Sequence, residues 1–575
     1  MSRKQYRLPE SDDLPSLPTE NLEKRREQIY PTLNDAELRQ AGRFGEERHF
    51  RDGEQVFAAG QAKPDILFIL RGRLALGRHD GFGSSDLIAI LGPGQFSGEE
   101  GQLVGRPAME DAWAVGTLDA LALSPEALRM LLVAQADLGE RIVRAMILRR
   151  IVLVRKNSGG PVIVAPHGHP RVRELERFLS ANGHPYTVHD PAQDPAAAGL
   201  AALHGATAAD WPLVLCPGAA PKRDPSLVEL GRCIGLFQDT DPAKIWDVVV
   251  VGAGPAGLAT AVYAASEGLS VLALETRAYG GQAAASARIE NYFGFPTGIT
   301  GGALTGRAYV QAEKFGVEVA IPAAAAGLNP ASRPLEVVLC EGLGQVRART
   351  VVLACGARYR RPALANLKRF EGRGVYYWAS PIEARLCKGS EVILVGGGNS
   401  AGQGAVFLAG HASKVHMLVR RGGLAETMSS YLVSRIEATP NIELHAHADI
   451  AALVGEEGDL QTVRVRDIRS RQERDFAVRH VFLFIGADPN TGWLRDSGIE
   501  VDRNGFICTG RNVAAIGSAA VRKALETSVP GVFAIGDVRA ESTKRVAAAV
   551  GEGAAVVAQI HEFLAEAQAA SPSSG

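Results

Sequence analysis

Asp247-Val-Val-Val-Val-Gly-Ala-Gly-Pro-Ala-Gly-Leu258 is an apolar, β-branched run that feeds directly into Gly252-x-Gly254-x-x-Gly257 and then into an Ala-rich helical pattern over 258–267. The spacing predicts a buried parallel strand, a tight glycine turn and a helix whose N-terminus can hold a pyrophosphate. The first glycine permits the turn, the second lets the backbone approach the phosphates, and the third lets the helix pack on the strand. Pro255 and Ala256 complete the turn. A second apolar run, 269–274, ends in Glu275, about twenty residues past the glycines, where a ribose-binding carboxylate is expected. Glycines alone would be a weak signal, but strand, helix and acid in this order make a dinucleotide site.

Length and composition bound the rest. A chain of 575 residues should hold roughly three to five domains. A net charge of −1 gives no electrostatic case for nucleic acid or an anionic membrane surface. No stretch approaches the roughly 18 apolar residues of a membrane span, and residues 1–14 lack the apolar core of a secretory signal. A cytoplasmic protein is expected. The six cysteines, Cys216, Cys233, Cys340, Cys355, Cys387 and Cys508, are never closer than 15 residues, so there is neither CxxC nor metal-ligand spacing. Free thiols and no metal site are expected.

Taken in order, residues 1–30 read as a flexible leader or a segment lying on another domain, with three prolines among them, Pro9, Pro15 and Pro18. Over 31–156, short strands at 54–58, 66–70, 73–77 and 87–91 with glycine turns predict an all-β roll, followed by a helix over 125–156. Residues 157–240 read as a small α/β unit, with strands at 161–165, 186–189 and 212–216 and a helix at 171–182. His167 and His169 lie two apart with no third partner and read as loop histidines. From 244 onward two dinucleotide patterns follow. The second is Val392-Ile-Leu-Val-Gly396-Gly-Gly398-Asn399-Ser400-Ala401, and its next strand, 415–419, ends in Arg420-Arg421 instead of an acid. A basic end fits a 2′-phosphate, which favours NADPH and leaves NADH possible. Tyr279-Gly-Gly281-Gln282, Ile289-Glu-Asn291 and Gly531-Val-Phe-Ala-Ile-Gly536-Asp537-Val538 complete the pattern, with a helix opening near Lys544-Arg545-Val546.

Three resemblances follow from these residues. Residues 65–74 and Gly92-x-Gly94-x-Phe96-x-Gly98-Glu99 resemble the β-roll of cyclic-nucleotide-binding domains. That family places an arginine on the cyclic phosphate directly after the proline. Here Ala108 follows Pro107, and Arg106 stands out of register. Cyclic-nucleotide binding is therefore doubtful, and a docking or dimer module is the favoured reading. Residues 157–240 resemble a thioredoxin/glutaredoxin-like fold, with Trp211-Pro212 at that family's cis-proline and Pro166-His-Gly-His-Pro170 where its redox cysteines belong. Residues 244–565 resemble low-molecular-weight thioredoxin reductases. That resemblance implies FAD at Gly252, Gly254, Pro255, Ala256, Gly257, Glu275, Gly281, Gln282, Asn291, Asp537, Lys544, Arg545 and Val546. It implies NADPH at Gly396, Gly398, Asn399, Ser400, Ala401, Arg420 and Arg421, although Ala425 replaces a further arginine of the family pattern. It also implies a homodimer, an FAD domain of 244–362 and 487–565, an inserted NADPH domain of 363–486, and a flexible tail at 566–575. The whole is a multidomain chain: β-roll, small thioredoxin-like α/β unit, then a Rossmann-like flavoprotein with two dinucleotide sites.

One departure decides the expected chemistry. Where thioredoxin reductases carry Cys-Ala-Thr-Cys-Asp, this chain reads Val375-Tyr-Tyr-Trp378-Ala-Ser-Pro381-Ile382-Glu383, without cysteine. Thiol exchange needs an attacking thiolate and a resolving thiol. Cys387 reads as a core thiol. Trp378 is either an indole against the flavin or a hydrophobic plug between domains. No residue is assigned as a catalytic acid, base or nucleophile. The expected activity is hydride transfer from NADPH to flavin and onward to an acceptor other than a thioredoxin disulfide: ferredoxin or flavodoxin, a quinone or oxygen. The alternative is a slow or non-catalytic flavin-based regulatory protein. Cysteines supplied by a partner chain have no support in the sequence.

Overall fold

The computed structural model describes residues 16–79, 85–157, 159–239, 241–286, 288–379, 381–456, 459–513 and 522–570. Residues 1–15 of the expected leader and 571–575 of the expected tail lie outside them. The rest of the leader folds onto the roll: Leu22 and Ile29 pack on Leu148 and Val152. Of the two readings of that segment, the described part fits the one in which it lies on another domain.

The β-roll is a sheet in which the strands Glu46–Phe50, Asp111–Leu123, Ile66–His79 and Ser85–Leu91 lie in that order, with Gln55–Phe57 also on Asp111–Leu123. The expected strands at 66–70 and 73–77 are one strand. Its register slips on either side of Arg71, and Gly72 adopts φ +82 where a side chain would also run into the Thr117 carbonyl, so the position needs glycine. The expected helix over 125–156 is two, Pro125–Ala134 and Ala136–Lys156, broken at Gln135 (φ −126, ψ 82). The second buries Ile142, Met146, Arg149, Arg150 and Val152 within the chain.

The small unit has the sheet order Thr187–His189, Val162–Val164, Leu213–Leu215, Lys222–Arg223, the first pair parallel and the others antiparallel. The Trp211–Pro212 peptide is cis. The expectation of free thiols fails here: Cys216 and Cys233 form a disulfide, so the unit carries a cysteine pair, away from the 166–170 stretch. Sequence spacing missed it because the cysteines are 17 residues apart, one after the strand Leu213–Leu215 and one ending the helix Leu227–Cys233, and only the fold brings their Cα atoms to 6.0 Å.

The remaining chain forms two layered α/β bodies. The first has a seven-stranded sheet centred on Ile245–Val251, flanked in parallel by Val271–Leu274 and Gln345–Leu353. Val532–Ala534 returns from the far end of the chain to pair with Gln345–Leu353. Four successive valines, Val248 to Val251, are buried on both sheet faces, as expected of a central parallel strand. The second body is a five-stranded parallel sheet, with Glu391–Val395 between Val481–Leu483 and Lys414–Val419, and a three-stranded meander on it. The chain crosses between the bodies twice, through the paired short strands Ala357–Tyr359 and Ala487–Pro489.

Candidate functional site

The first glycine turn is built by exclusion. Gly252 has φ +108, a conformation that L residues rarely adopt, and a Cβ on Gly257 would run into the Gly252 carbonyl. Gly254 is open: the nearest atom to a Cβ there would be the Gly281 Cα, 4.0 Å away. The Tyr279–Gln282 loop is tied to the turn by the Gly280 amide, which donates to the Ala253 carbonyl at 2.7 Å. Pro255 opens the helix Pro255–Ser266, and among the described residues no side chain caps its N-cap Gly254. Unpaired amides at the positive end of the helix dipole therefore face the turn. Glu275 accepts from the Ala253 amide at 2.9 Å and from Thr276 and Arg277 amides, which fixes its carboxylate at the end of the strand Val271–Leu274.

The C-terminal helix Val546–Ala570 lies against this first helix; Thr260 Oγ1 donates to the Gly553 carbonyl. Glu552 accepts from the Gly536 amide at 2.6 Å and pairs with Arg539, which sets the Gly536–Val538 turn. Asp537 lies on that turn. Burial raises its carboxyl above the usual range, and among the described residues no hydrogen bond reaches the carboxylate. A half-buried acceptor of this kind suits a hydroxylated ligand. Lys544 Nζ donates to the Asp537 carbonyl at 2.6 Å, so Lys544 braces the turn, while Arg545 and Asn291 are exposed. These residues fit a dinucleotide lying across the first turn.

The second turn repeats the logic. Gly396 has φ +145, and a Cβ there would run into the Phe484 carbonyl. Gly398 is the N-cap of Asn399–Ala409, again uncapped by side chains among the described residues. Asn399 Oδ1 accepts from the Ser429 amide at 2.8 Å and hydroxyl at 3.0 Å, and Thr427 Oγ1 donates to the Gly397 carbonyl, so residues 424–429 fold over the turn. Ser400 is exposed and Ala401 is buried. Arg420 pairs with Asp449 at 2.9 Å and Arg421 with Glu426 at 2.6 Å. Both guanidinium groups are largely exposed, so a ligand phosphate can exchange with these screened pairs.

Between the two bodies lies a cavity of about 190 Å³ lined by Gln282 and Arg288 from one side and by Ser400, Gln403, Arg435 and Trp378 from the other. The segment that follows the first glycine turn's tied loop and the helix opened by the second turn thus border one space. Trp378 is 40% exposed, so it is not a buried plug. Its Nε1 donates to Glu383 at 3.1 Å and its ring lies 6.4 Å from Tyr359. Burial, with the charge of Asp537 nearby, pushes the Tyr359 phenol up to about 12. Cys387 is fully buried and its thiol is pushed up by burial, as a core thiol. Burial likewise takes Cys355, beside the first turn, to about 12.

Sequence reading missed the cluster His416, Glu443 and His445 on adjacent strands, where the imidazoles meet at 3.1 Å and His416 Nε2 reaches Glu391 at 3.0 Å. Their spacing of 27 and 29 residues carries no motif, and only strand register brings them together.

Residues 246–553, more than half of the chain, match the pyridine nucleotide-disulphide oxidoreductase family. The chain belongs to that family. This oxidoreductase is 32% identical over 325 residues to the thioredoxin reductase of Bacillus subtilis (strain 168), 56% of this chain and 96% of that one. It is 33% identical over 309 residues to the thioredoxin reductase of Treponema pallidum (strain Nichols), 54% and 94%. Its fold matches the Lactococcus lactis thioredoxin reductase in the FR conformation with a TM-score of 0.51 and 27% identity, over 56% of this chain and 99% of that one. In the same oxidoreductase, residues 47–135 match the cyclic nucleotide-binding domain family. Among the described residues no helix is long and apolar enough to cross a membrane.

Proposed function

We propose that the chain is an NADPH-dependent FAD oxidoreductase whose electrons leave to an acceptor other than a thioredoxin disulfide. The observation that carries this reading is the shared cavity: Gln282, from the loop tied to the first glycine turn, and Ser400, from the second motif, face one space between the two bodies. Bound FAD would supply a two-electron acceptor for nicotinamide hydride that can pass electrons on singly or in pairs. Gly252, Gly254 and Gly257 would admit its pyrophosphate to the uncapped helix, Glu275 and Asp537 would accept from its hydroxyls, and Gln282, Asn291 and the Lys544–Val546 turn would border the rest. Gly396, Gly398 and Asn399 to Ala401 would hold the second nucleotide, with Arg420 and Arg421 at a 2′-phosphate. Trp378 would cover one side of the reacting space and exclude water. Its neighbourhood supplies no thiol, because Cys387 is buried in the core.

The thioredoxin-like reading of residues 157–240 is supported by the strand order and by the cis Trp211–Pro212 peptide. The β-roll we read as a docking module that does not take a cyclic nucleotide: Ala108 is buried, Arg106 bonds Tyr309 and Glu313 of the flavin body, and Glu99 pairs with Arg150 at 3.2 Å. A homodimer is also part of the proposal, from the resemblance to thioredoxin reductases.

Anaerobic mixing of the FAD-loaded protein with NADPH tests the central claim. The flavin absorbance should bleach within seconds. An intact flavin spectrum would overturn the reductase reading and leave the regulatory one. A screen of ferredoxin, flavodoxin, quinone, oxygen and oxidised thioredoxin then finds the acceptor, and turnover on thioredoxin alone would refute the claimed departure from disulfide chemistry.

A further inference from the structure

The Cys216–Cys233 disulfide sits where three bodies meet. The residues after Cys216 touch the β-roll: a Cβ on Gly60 would run into the Pro217 carbonyl, and one on Gly218 would lie 3.0 Å from the Ala59 carbonyl. The residues around Cys233 touch the other two bodies. A Cβ on Gly235 would run into Pro107 in the roll's former phosphate cassette, and one on Gly231 would lie 2.8 Å from the Ile321 carbonyl of the flavin body. The Ile321 amide donates to the Leu236 carbonyl at 3.0 Å. The disulfide thus ties together the two segments through which the small unit grips its neighbours. Cys216 is 6% exposed, whereas Cys233 is only half buried. Cys233 also lines a cavity of about 20 Å³, room for a single water, together with Glu99, Arg106, Arg150 and His184.

We propose that Cys216–Cys233 is a reversible thiol–disulfide site, reduced by a dithiol, whose oxidation state sets how firmly the small unit joins the β-roll to the flavin body. The reducing thiolate attacks Sγ of Cys233, the more accessible sulfur. The Cys233–Cys216 bond breaks, and Cys216 leaves as a thiolate that takes a proton. The second thiol of the reductant then attacks the mixed disulfide at the reductant's own sulfur and releases Cys233. Two electrons and two protons pass to the cysteine pair, and the dithiol leaves as a disulfide. Opening the bond removes the one cross-link between the 216–218 and 231–236 segments and leaves them held by contacts with their neighbours and by apolar packing, with Cys216, Ile234 and Leu236 in one cluster with Leu258 and Ile321. Losing the cross-link lowers the free energy of local opening at these segments. The dithiol can be a small molecule or a protein.

The test uses the full chain purified without reductant. Alkylation in denaturant should label the four free cysteines, Cys340, Cys355, Cys387 and Cys508, and all six after reduction. The native protein is then treated with graded dithiothreitol in one arm and with reduced thioredoxin in another. In either arm the pair should open without unfolding, and opening by dithiothreitol alone would assign the site to small thiols. Amide exchange at Ala59, Gly60, Arg106, Gly218 and 234–236 should rise about tenfold, with Glu391–Val395 unchanged. Cys216→Ser/Cys233→Ser should exchange fast at those segments without reductant and ignore it. If that variant does not fold, the wild-type arms still decide. The proposal is overturned if six thiols label before reduction, if the pair opens only on global unfolding, or if exchange there is the same in both states.

Discussion

Replacing Arg106 with methionine reads most directly how the β-roll is held to the flavin body. Arg106 pairs with Glu313 of the helix Gly301–Lys314 and donates to the Tyr309 hydroxyl, and the paired side chains are 7% and 1% exposed. Burial alone would depress this guanidinium, but Glu313, Tyr309, Glu99 and Glu100 outweigh it and hold it charged. Arg106→Met strands Glu313, whose carboxyl is raised by burial against the lowering effect of Arg106. Breaking a buried pair from one side costs about 3–5 kcal/mol. Because Glu313 can take a proton, the loss near neutral pH should fall at the lower end, about 3 kcal/mol, and shrink in acid. Arg106→Met/Glu313→Leu leaves no stranded charge and should cost only about 1 kcal/mol. Glu313→Leu alone strands the buried Arg106 guanidinium and should cost about 3 kcal/mol as well, so the double-mutant cycle predicts a coupling of about 5 kcal/mol. A chain of several bodies does not unfold as one unit, so amide exchange within Gly301–Lys314 is the proper readout beside guanidinium unfolding. A coupling under about 0.5 kcal/mol would refute the claim that this pair holds the junction.

Three further outcomes are expected. Burial pushes Glu100, beside the same junction, up to about 8 from 4.5, so the native state keeps a proton that the unfolded chain loses, and stability should fall as pH rises from about 4.5 to 8. Glu100→Gln should flatten that part of the profile, and an unchanged slope in thermal scans would contradict the assignment. Gly257→Ala drives a Cβ into the Gly252 carbonyl and should weaken FAD retention by about 1–3 kcal/mol, read as the flavin-to-protein absorbance ratio after dialysis. Arg420→Ala/Arg421→Ala should raise KM for NADPH by about 1.5–3 kcal/mol in binding terms and leave NADH alone, and an unaltered NADPH-to-NADH ratio would refute the 2′-phosphate role.

Local pattern carried much of the fold. Glycine turns at 252 and 396 were legible because a parallel strand buried on both faces must be an apolar run, and a turn against another backbone must be glycine. The cassette residues Gly98 and Glu99, and the proline at 212, were legible for the same local reason. What stayed hidden depended on distant pairing. Cys216 and Cys233 share no short spacing, and His416 meets His445 only through strand register. Arg106 could be seen to be out of register, yet its partners Tyr309 and Glu313 lie more than 200 residues away. The break at Gln135 was masked by helical periodicity on both sides of it.

The junction gives a physical reason why a β-roll can keep Gly98 and Glu99 yet tolerate alanine at 108. In such a pocket an inward cation is needed only if an anion must enter. Here Arg150, from the helix Ala136–Lys156, reaches Glu99 and also donates to the Gly183 carbonyl of the small unit. Pro107 meets Gly235, and Arg106 turns to the flavin body. An incoming phosphate would have to break the buried Arg150–Glu99 pair, and it would find a buried methyl group where its cation should be. On the proposed docking reading, the polar groups of a nucleotide pocket serve contacts within the chain, and no ligand-driven change at the roll is expected. On that reading a signal through this junction would come from a bond that can change within it. The Cys216–Cys233 disulfide, flanked on both sides by the contacting loops, is such a bond.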